Sequence, residues 1–121
     1  MGEIATSNRQ ISLFYNSKSA TGKQTLAYAM TEGLPVLEID ILKTKLTGTQ
    51  IVELAHRLHL EVGDLIDKNH AAYKTDLNSD EFSTDDWIKM IQHKPEIMKQ
   101  PIAIRGDITI LIKTPTDILK I

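Results

Sequence analysis

Two apolar segments separated by one helical segment constrain the fold of this chain more than any other feature. Residues 10–16 (QISLFYN) and 35–41 (PVLEIDI) have the character of buried strands, and residues 23–33 (KQTLAYAMTEG) have helical periodicity. Pro35 prevents the helix from continuing. Two strands joined by one helix form a βαβ unit with parallel strands, so we expect an α/β protein. Three apolar residues of the helix fall on one stripe: Leu26, Ala29 and Met30.

The rest of the chain predicts helices first and then a second pair of strands. Thr47 and Gln50 have the spacing of a capping box, and Ser83 is a suitable helix cap with Phe82 and Trp87 placed to contact each other. The predicted segments are helices at 46–60 and 82–95, short helical turns at 62–68, 95–98 and 114–121, and a hairpin at 101–113 that turns at Arg105–Asp107.

Composition excludes several classes of protein. The chain has no cysteine, which excludes disulfides, thiolate nucleophiles and cysteine-ligated metals. A net charge of −2 gives no sign of direct nucleic-acid binding, and no apolar run approaches the roughly 18 residues of a membrane span. Residues 1–10 are polar without a signal-peptide core, so we expect a disordered leader, a single domain over residues 11–121 and a cytoplasmic location.

The segment FYNSKSATGKQTLAYA (14–29) joins the first strand to the helix, and it has three interpretations. A phosphate loop requires a glycine five residues before Gly22 and a Ser or Thr directly after Lys23, but Ser17 and Gln24 stand there. A plain turn is also consistent with these small polar residues. Even a plain turn leaves backbone N–H groups at a helix start beside Lys23, which is a weak oxyanion site.

The third interpretation is a resemblance to a known family. YNSKSATGKQTL resembles the active-site loop of the arsenate reductase (ArsC)-like and Spx-like branch of thioredoxin-fold proteins, roughly Asn-Pro-x-Cys-x-x-[Ser/Cys]-x-x-Thr-Leu. Asn16 matches the loop asparagine, Ser17 stands at the proline, and Ser19 stands at the nucleophilic cysteine. Gly22 stands at the second cysteine and Lys23 at a basic position.

The resemblance continues in order along the chain. LTGTQIVELAHRL, DLIDKNHAAYK and STDDWIKMIQHKPEIMKQPIAI are similar to later passages of the family, so the likeness covers about residues 11–121. It implies a thioredoxin-like fold, with a four-stranded mixed sheet and a helical insertion between the strand pairs. It also implies a cis-proline at Pro101, after Gln100. Where the reductases hold the oxyanion with arginines, this chain has Asp67, Gln100 and Lys113.

The resemblance suggests two classes of function. Without a cysteine, the domain is expected to be redox-inactive and to act as a binding or regulatory module for a weak oxyanion, a thiol ligand or a protein partner. The Spx-like branch implies bacterial RNA polymerase by analogy. The alternative is an arsenate reductase-like or thiol-dependent oxidoreductase, if Ser19 replaces a native cysteine or an external thiol supplies the chemistry. The expected ligand-binding residues are Asn16, Thr21, Gly22 and Lys23, supported by Gln100, Pro101 and Lys113.

No cofactor is expected, and no metal site is expected either. His56 and His59 have a spacing of three residues on a predicted helix, but no carboxylate stands at a matching step. A solvated helix face is the better interpretation of the two histidines.

Overall fold

The computed structural model describes residues 7–70 and 82–121. The chain divides into two compact units, a sheet unit of residues 7–44 and 100–121 and a helical unit within residues 45–99. The sheet unit is therefore discontinuous in sequence. The expected single domain over residues 11–121 and the expected disordered leader stay predictions, and residues 1–6 lie outside the described part of the chain.

A four-stranded mixed sheet forms the centre of the sheet unit, which confirms the predicted architecture. The spatial order is β2-β1-β3-β4. β1 pairs with β2 in parallel and with β3 antiparallel, and β3 pairs antiparallel with β4. β1 is an inner strand with a neighbour on both sides, and its residues are buried along its whole length. The strands are β1 (Ile11–Tyr15), β2 (Val36–Asp40), β3 (Ile102–Arg105) and β4 (Ile108–Leu111).

Helix α1 (Ala20–Thr31) connects the two parallel strands and buries a stripe of small residues, Gly22, Thr25 and Ala29. The predicted stripe through Met30 is wrong, because Met30 is 63% exposed. Each helical residue turns about 100° from the last, so Met30 lies well around the helix from its buried neighbour Ala29. The core on this face of the sheet comprises Ile11, Leu13, Tyr15, Ala29, Ala103, Ile112 and Ile118.

The hairpin between β3 and β4 turns at Gly106, whose φ of 58° favours glycine. The segment before β1 reaches this turn. Gly106 N–H donates to the Ser7 carbonyl at 3.1 Å, and Arg105 Nε–H donates to the Asn8 carbonyl at 2.9 Å. The chain then ends in a 3₁₀ helix at Pro115–Lys120, which is the predicted short terminal helix.

The helical unit contains α2 (Gly48–Arg57), α3 (Thr84–His93) and 3₁₀ helices at Val62–Leu65 and Pro95–Ile97. Capping boxes start both α-helices, Thr47 with Gln50 and Ser83 with Asp86. The predicted contact between Phe82 and Trp87 is present, with ring centroids 5.0 Å apart in an edge-to-face arrangement. The buried apolar residues of this unit are Leu46, Ile51, Leu54, Ala55, Val62, Leu65, Ile66, Ile91, Ile97 and Met98.

Within residues 7–70 and 82–121, no helix is both long enough and apolar enough to cross a membrane.

Candidate functional site

The candidate site is the connection between β1 and α1, at the carboxyl end of β1. Asn16 is buried, and it organises the turn. Its Oδ1 accepts the Lys18 N–H at 2.8 Å, and its carbonyl accepts the Ser19 N–H at 2.9 Å. An asparagine that hydrogen-bonds the backbone two residues on is a common turn device. The loop is therefore held in one conformation by its own polar groups.

Two side chains from elsewhere in the sheet unit complete this arrangement. Gln100 Oε1 accepts the Asn16 N–H at 3.0 Å. Asp40, at the end of β2, accepts the N–H of Ser17 at 3.3 Å and that of Leu42 at 3.0 Å through Oδ1. Burial alone would raise the pKa of Asp40, but the hydrogen bonds from Ser17 and Leu42 outweigh it and lower the pKa below its ordinary value.

Ser19 is the N-cap of α1. Its Oγ accepts the Gly22 N–H at 3.2 Å, and its carbonyl accepts the Lys23 N–H at 2.9 Å. This is the ordinary role of serine at a helix start. Among the described residues, no carboxylate or imidazole is hydrogen-bonded to Ser19 Oγ, so the hydroxyl lacks the adjacent base that activates a nucleophile.

Gly22 is in close contact with the loop backbone. A β-carbon on Gly22 would lie 2.6 Å from the Asn16 carbonyl oxygen and 3.1 Å from Gln100 Oε1. The Asn16 carbonyl oxygen is a backbone atom that accepts the Ser19 N–H, so it cannot move away easily. The position that carries a second cysteine in some relatives is thus closed to any side chain in this conformation.

Two backbone donors remain at the start of α1. The N–H groups of Ala20 and Thr21 have no acceptor within the described part of the chain. They belong to the first turn of the helix, where the macrodipole favours negative charge. Lys23 is exposed on the same turn. These N–H groups can donate hydrogen bonds to one or two oxygens of a small anion.

The structure brings together most of the residues that the sequence singled out. Asn16, Ser19, Gly22 and Gln100 form one contiguous group, and the Gln100–Pro101 peptide bond is cis, as the resemblance implies. Lys113 differs. Its N–H donates to Asp117 at 3.0 Å, at the start of the terminal 3₁₀ helix, and among the described residues no hydrogen bond or ion pair joins its side chain to the loop.

Sequence reasoning missed Asp40. The signal was available, because parallel strands end at the same edge of a sheet and Asp40 is the last residue of β2. Tyr15, the last residue of β1, was also missed. Its hydroxyl donates to Glu38 Oε1 at 2.9 Å, and burial together with this carboxylate raises the pKa of Tyr15 to about 12.

The two histidines do not lie on one helix. α2 ends at Arg57, and His59 lies beyond it with a φ of 61°. Both His56 and His59 are exposed. Within residues 7–70 and 82–121, no group of three or more His, Cys, Asp or Glu side chains is arranged to hold a metal ion.

Comparison with known proteins gives an independent view of the fold. The structure is similar to an arsenate reductase from Vibrio cholerae, with a TM-score of 0.82 and 22% identity over 93% of this chain and 98% of that one. It is also similar to an arsenate reductase (ArsC) related protein from Brucella melitensis, with a TM-score of 0.68 and 14% identity over 98% of this chain and 97% of that one. No protein with a curated description matches the sequence.

The family assignment rests on the sequence. The model of the ArsC family matches residues 14–119, which is nearly the whole chain and includes the candidate site. The sheet order and the β1–α1 connection agree with this match. The chain belongs to the ArsC family, with a thioredoxin-like fold and with Ser19 in place of the family's cysteine.

Proposed function

We propose that this protein is a redox-inactive member of the ArsC family that binds a small oxyanion or carboxylate at the β1–α1 loop. The observation that carries the proposal is the hydrogen bond from Gly22 N–H to Ser19 Oγ at 3.2 Å. It makes the residue at the reactive position a structural cap. The family's chemistry depends on a thiolate there, and this chain contains no cysteine.

The surroundings of Ser19 support a binding role over a catalytic one. A serine hydroxyl is a weak nucleophile without an adjacent base. Oδ1 of the nearby Asp40 is engaged by the N–H groups of Ser17 and Leu42, and in spite of burial these hydrogen bonds lower the pKa of Asp40, which makes it a poor base. The free donors of Ala20 and Thr21 remain at the helix start, where they suit an anion.

The enzymatic part of the proposal is tested with the unmodified protein. Arsenate reduction and disulfide reduction are measured with glutathione or dithiothreitol as the external thiol, beside a control without protein. We expect no turnover above the control. Clear thiol-coupled turnover would contradict the proposal and favour the alternative, an oxidoreductase that uses an external thiol.

The binding part is tested by titrating inorganic phosphate while amide chemical shifts are recorded. The largest shifts are expected at Ser19–Gln24, with a dissociation constant of about 1 mM. Lys23→Ala should weaken binding, because it removes a cation from the first turn, whereas Lys89→Ala on α3 should not. Largest shifts in the helical unit would show that the loop is only a turn.

The proposed binding role also includes a protein partner. Bacterial RNA polymerase, which the Spx-like resemblance implies by analogy, stays a prediction, as do the cytoplasmic location and the bacterial origin. The gene sequence at codon 19 decides whether serine is the natural residue. A cysteine codon there would shift the proposal to a reductase.

A further inference from the structure

The helical unit contains a cavity of about 220 Å³ beside the 3₁₀ helix at Val62–Leu65. Two backbone hydrogen bonds hold its walls together. Asp67 N–H donates to the Ile97 carbonyl at 2.7 Å, and Lys99 N–H donates to the Leu65 carbonyl at 2.6 Å. The cavity is therefore built on a fixed pair of chain segments.

The lining of this cavity is mainly polar and carries both signs of charge. Asp64 and Asp67 supply carboxylates, Lys68 and Lys99 supply ammonium groups, and Asn69 supplies an amide. The Asn69 N–H donates to Asp67 Oδ1 at 3.0 Å, which holds that carboxylate in place. Asp67 and Lys99 are half-buried, so their charges interact with a ligand more strongly than fully exposed charges do.

These opposite charges are not joined to one another in contact ion pairs. In the part of the chain that the structure describes, the ion pairs within 4.0 Å are Arg57–Glu53 and Lys120–Asp117, and neither includes a residue of the cavity. Two carboxylates and two ammonium groups thus line one cavity without forming ion pairs with each other. A singly charged ligand would meet as much repulsion as attraction there, whereas a ligand with both charges can pair with both sets.

We propose that this cavity binds a free α-amino acid as a zwitterion, with the ligand ammonium at Asp67 and the ligand carboxylate at Lys99. The volume lies below the roughly 300 Å³ at which pockets for larger ligands begin. It suits a single small amino acid better than a nucleotide. The two carboxylates disfavour inorganic phosphate, so this site differs in charge preference from the β1–α1 loop.

Trp87 provides a local reporter of the cavity. A β-carbon on Gly63 would lie 2.8 Å from Trp87 Nε1, so the indole packs directly on a cavity residue. Lys68 Nζ lies 5.0 Å from the centre of the Trp87 ring, in a cation–π arrangement. Trp87 is the sole tryptophan of the chain. Its indole N–H signal can be followed without overlap from another indole.

The test is a chemical-shift titration of the full chain with L-alanine. Saturable shifts are expected at Gly63, Asn69, Lys99 and the Trp87 indole, with a dissociation constant of about 1 mM. N-acetyl-L-alanine lacks the cation and L-alanine methyl ester lacks the anion, so each should bind about tenfold more weakly. Inorganic phosphate should leave these signals unchanged.

Matched variants connect the binding to the charges. Asp67→Asn and Lys99→Gln should each weaken L-alanine binding about tenfold with an unchanged circular dichroism spectrum. Asp85→Asn, on α3 and outside the cavity lining, should bind as the parent does. The proposal is overturned if no saturation occurs about tenfold above 1 mM, if the blocked analogues bind equally well, or if both cavity variants retain full binding. Tighter binding of L-alanyl-L-alanine would also overturn it, because the site would then belong to peptides.

Discussion

Asn16 and Gln100 lie 84 residues apart in the chain, and a hydrogen bond of 3.0 Å from Asn16 N–H to Gln100 Oε1 joins them. It links the end of β1 to the residue before the cis bond that leads into β3. Asn16 is buried, so its N–H depends on this acceptor. The side chain at position 100 therefore supports the loop, where the family resemblance implies an arginine in the reductases.

Replacing Gln100 tests this supporting role. Gln100→Ala and Gln100→Arg both remove the acceptor, and each should lower the free energy of unfolding by about 1–3 kcal/mol, because a buried N–H is left unpaired. Gln100→Glu keeps an acceptor oxygen and should lose clearly less. Urea unfolding at neutral pH measures all three. Equal stability of Gln100→Ala and the parent would show that water replaces the side chain.

Gly22→Ala should destabilise the protein although alanine is the better helix former. The helical preference favours alanine by about 1 kcal/mol, but its β-carbon would lie 2.6 Å from the Asn16 carbonyl oxygen. Overpacking of this kind costs about 1–3 kcal/mol, so a net loss is expected in thermal or urea unfolding.

Gly48→Ala is the matched control for Gly22→Ala. Gly48 is also in the first turn of a helix, but a β-carbon there would have an ordinary contact of 3.4 Å with Ile88. Its stability should be unchanged or raised. A Gly22→Ala protein as stable as Gly48→Ala would show that the loop yields, and a second cysteine would then be feasible at position 22.

Ser19→Cys should produce a reactive thiol. The side chain at this position accepts the Gly22 N–H at the positive end of α1, and such a position lowers a thiol pKa below its free value of about 8.5. The rate of iodoacetamide alkylation as a function of pH measures the pKa. A value at or above that of a free thiol would contradict the expected field at the helix start.

Ser19→Ala isolates the capping role from the chemistry. It removes the acceptor for the Gly22 N–H and should cost about 1 kcal/mol of stability. The measurement is urea unfolding beside Thr31→Ala, because Thr31 is an exposed residue at the end of the same helix. Equal stability of Ser19→Ala and the parent would argue that Ser19 is not the cap in solution.

Stability should fall at alkaline pH through Tyr15. Burial and the hydrogen bond to Glu38 raise the pKa of Tyr15 from 10.0 to about 12 in the folded protein. The folded state therefore holds this proton more tightly, and the stabilisation is complete below pH 10 and is lost as the pH rises through about 12. Tyr15→Phe should show a smaller decrease over this range in the free energy of unfolding. Parallel pH profiles of the parent and Tyr15→Phe would exclude Tyr15 as the cause of the alkaline loss of stability.

Stability should also fall at acid pH, in this case through Asp40. Hydrogen bonds from Ser17 and Leu42 lower its pKa below 3.8 in spite of burial, so its stabilisation is present above pH 3.8 and is lost as the pH falls. Asp40→Asn should remove this part of the acid dependence of unfolding. Asp85→Asn, on α3, is the control variant and should retain it.

Local signals in the sequence predicted the secondary structure well. Thr47 and Ser83 could be recognised as capping residues from the sequence alone, because a cap depends only on residues within one turn. The start of α1 was predicted at residue 23 but lies at Ala20. The cap here is Ser19, and one serine among several Ser, Thr and Gly residues carries a weak signal.

The candidate site was predictable in part. The resemblance assigned Asn16, Ser19, Gly22 and Gln100 to one site, and in the structure these four residues lie in contact with one another. The direction of Gln100, as an acceptor for a backbone N–H, could not be read from the sequence because it depends on how two distant segments meet. The same reason explains why the unpaired charges around the helical-unit cavity were not foreseen.

The discontinuous sheet unit has a consequence for synthesis of the protein. β1 obtains β2 as a neighbour soon after both are translated, but β3 follows only after the whole helical unit. On the ribosome, an apolar strand that is buried throughout in the finished fold thus keeps one edge of unpaired N–H and C=O groups for several seconds. The nascent chain is most exposed to chaperones, and to pairing with neighbouring chains, during that interval.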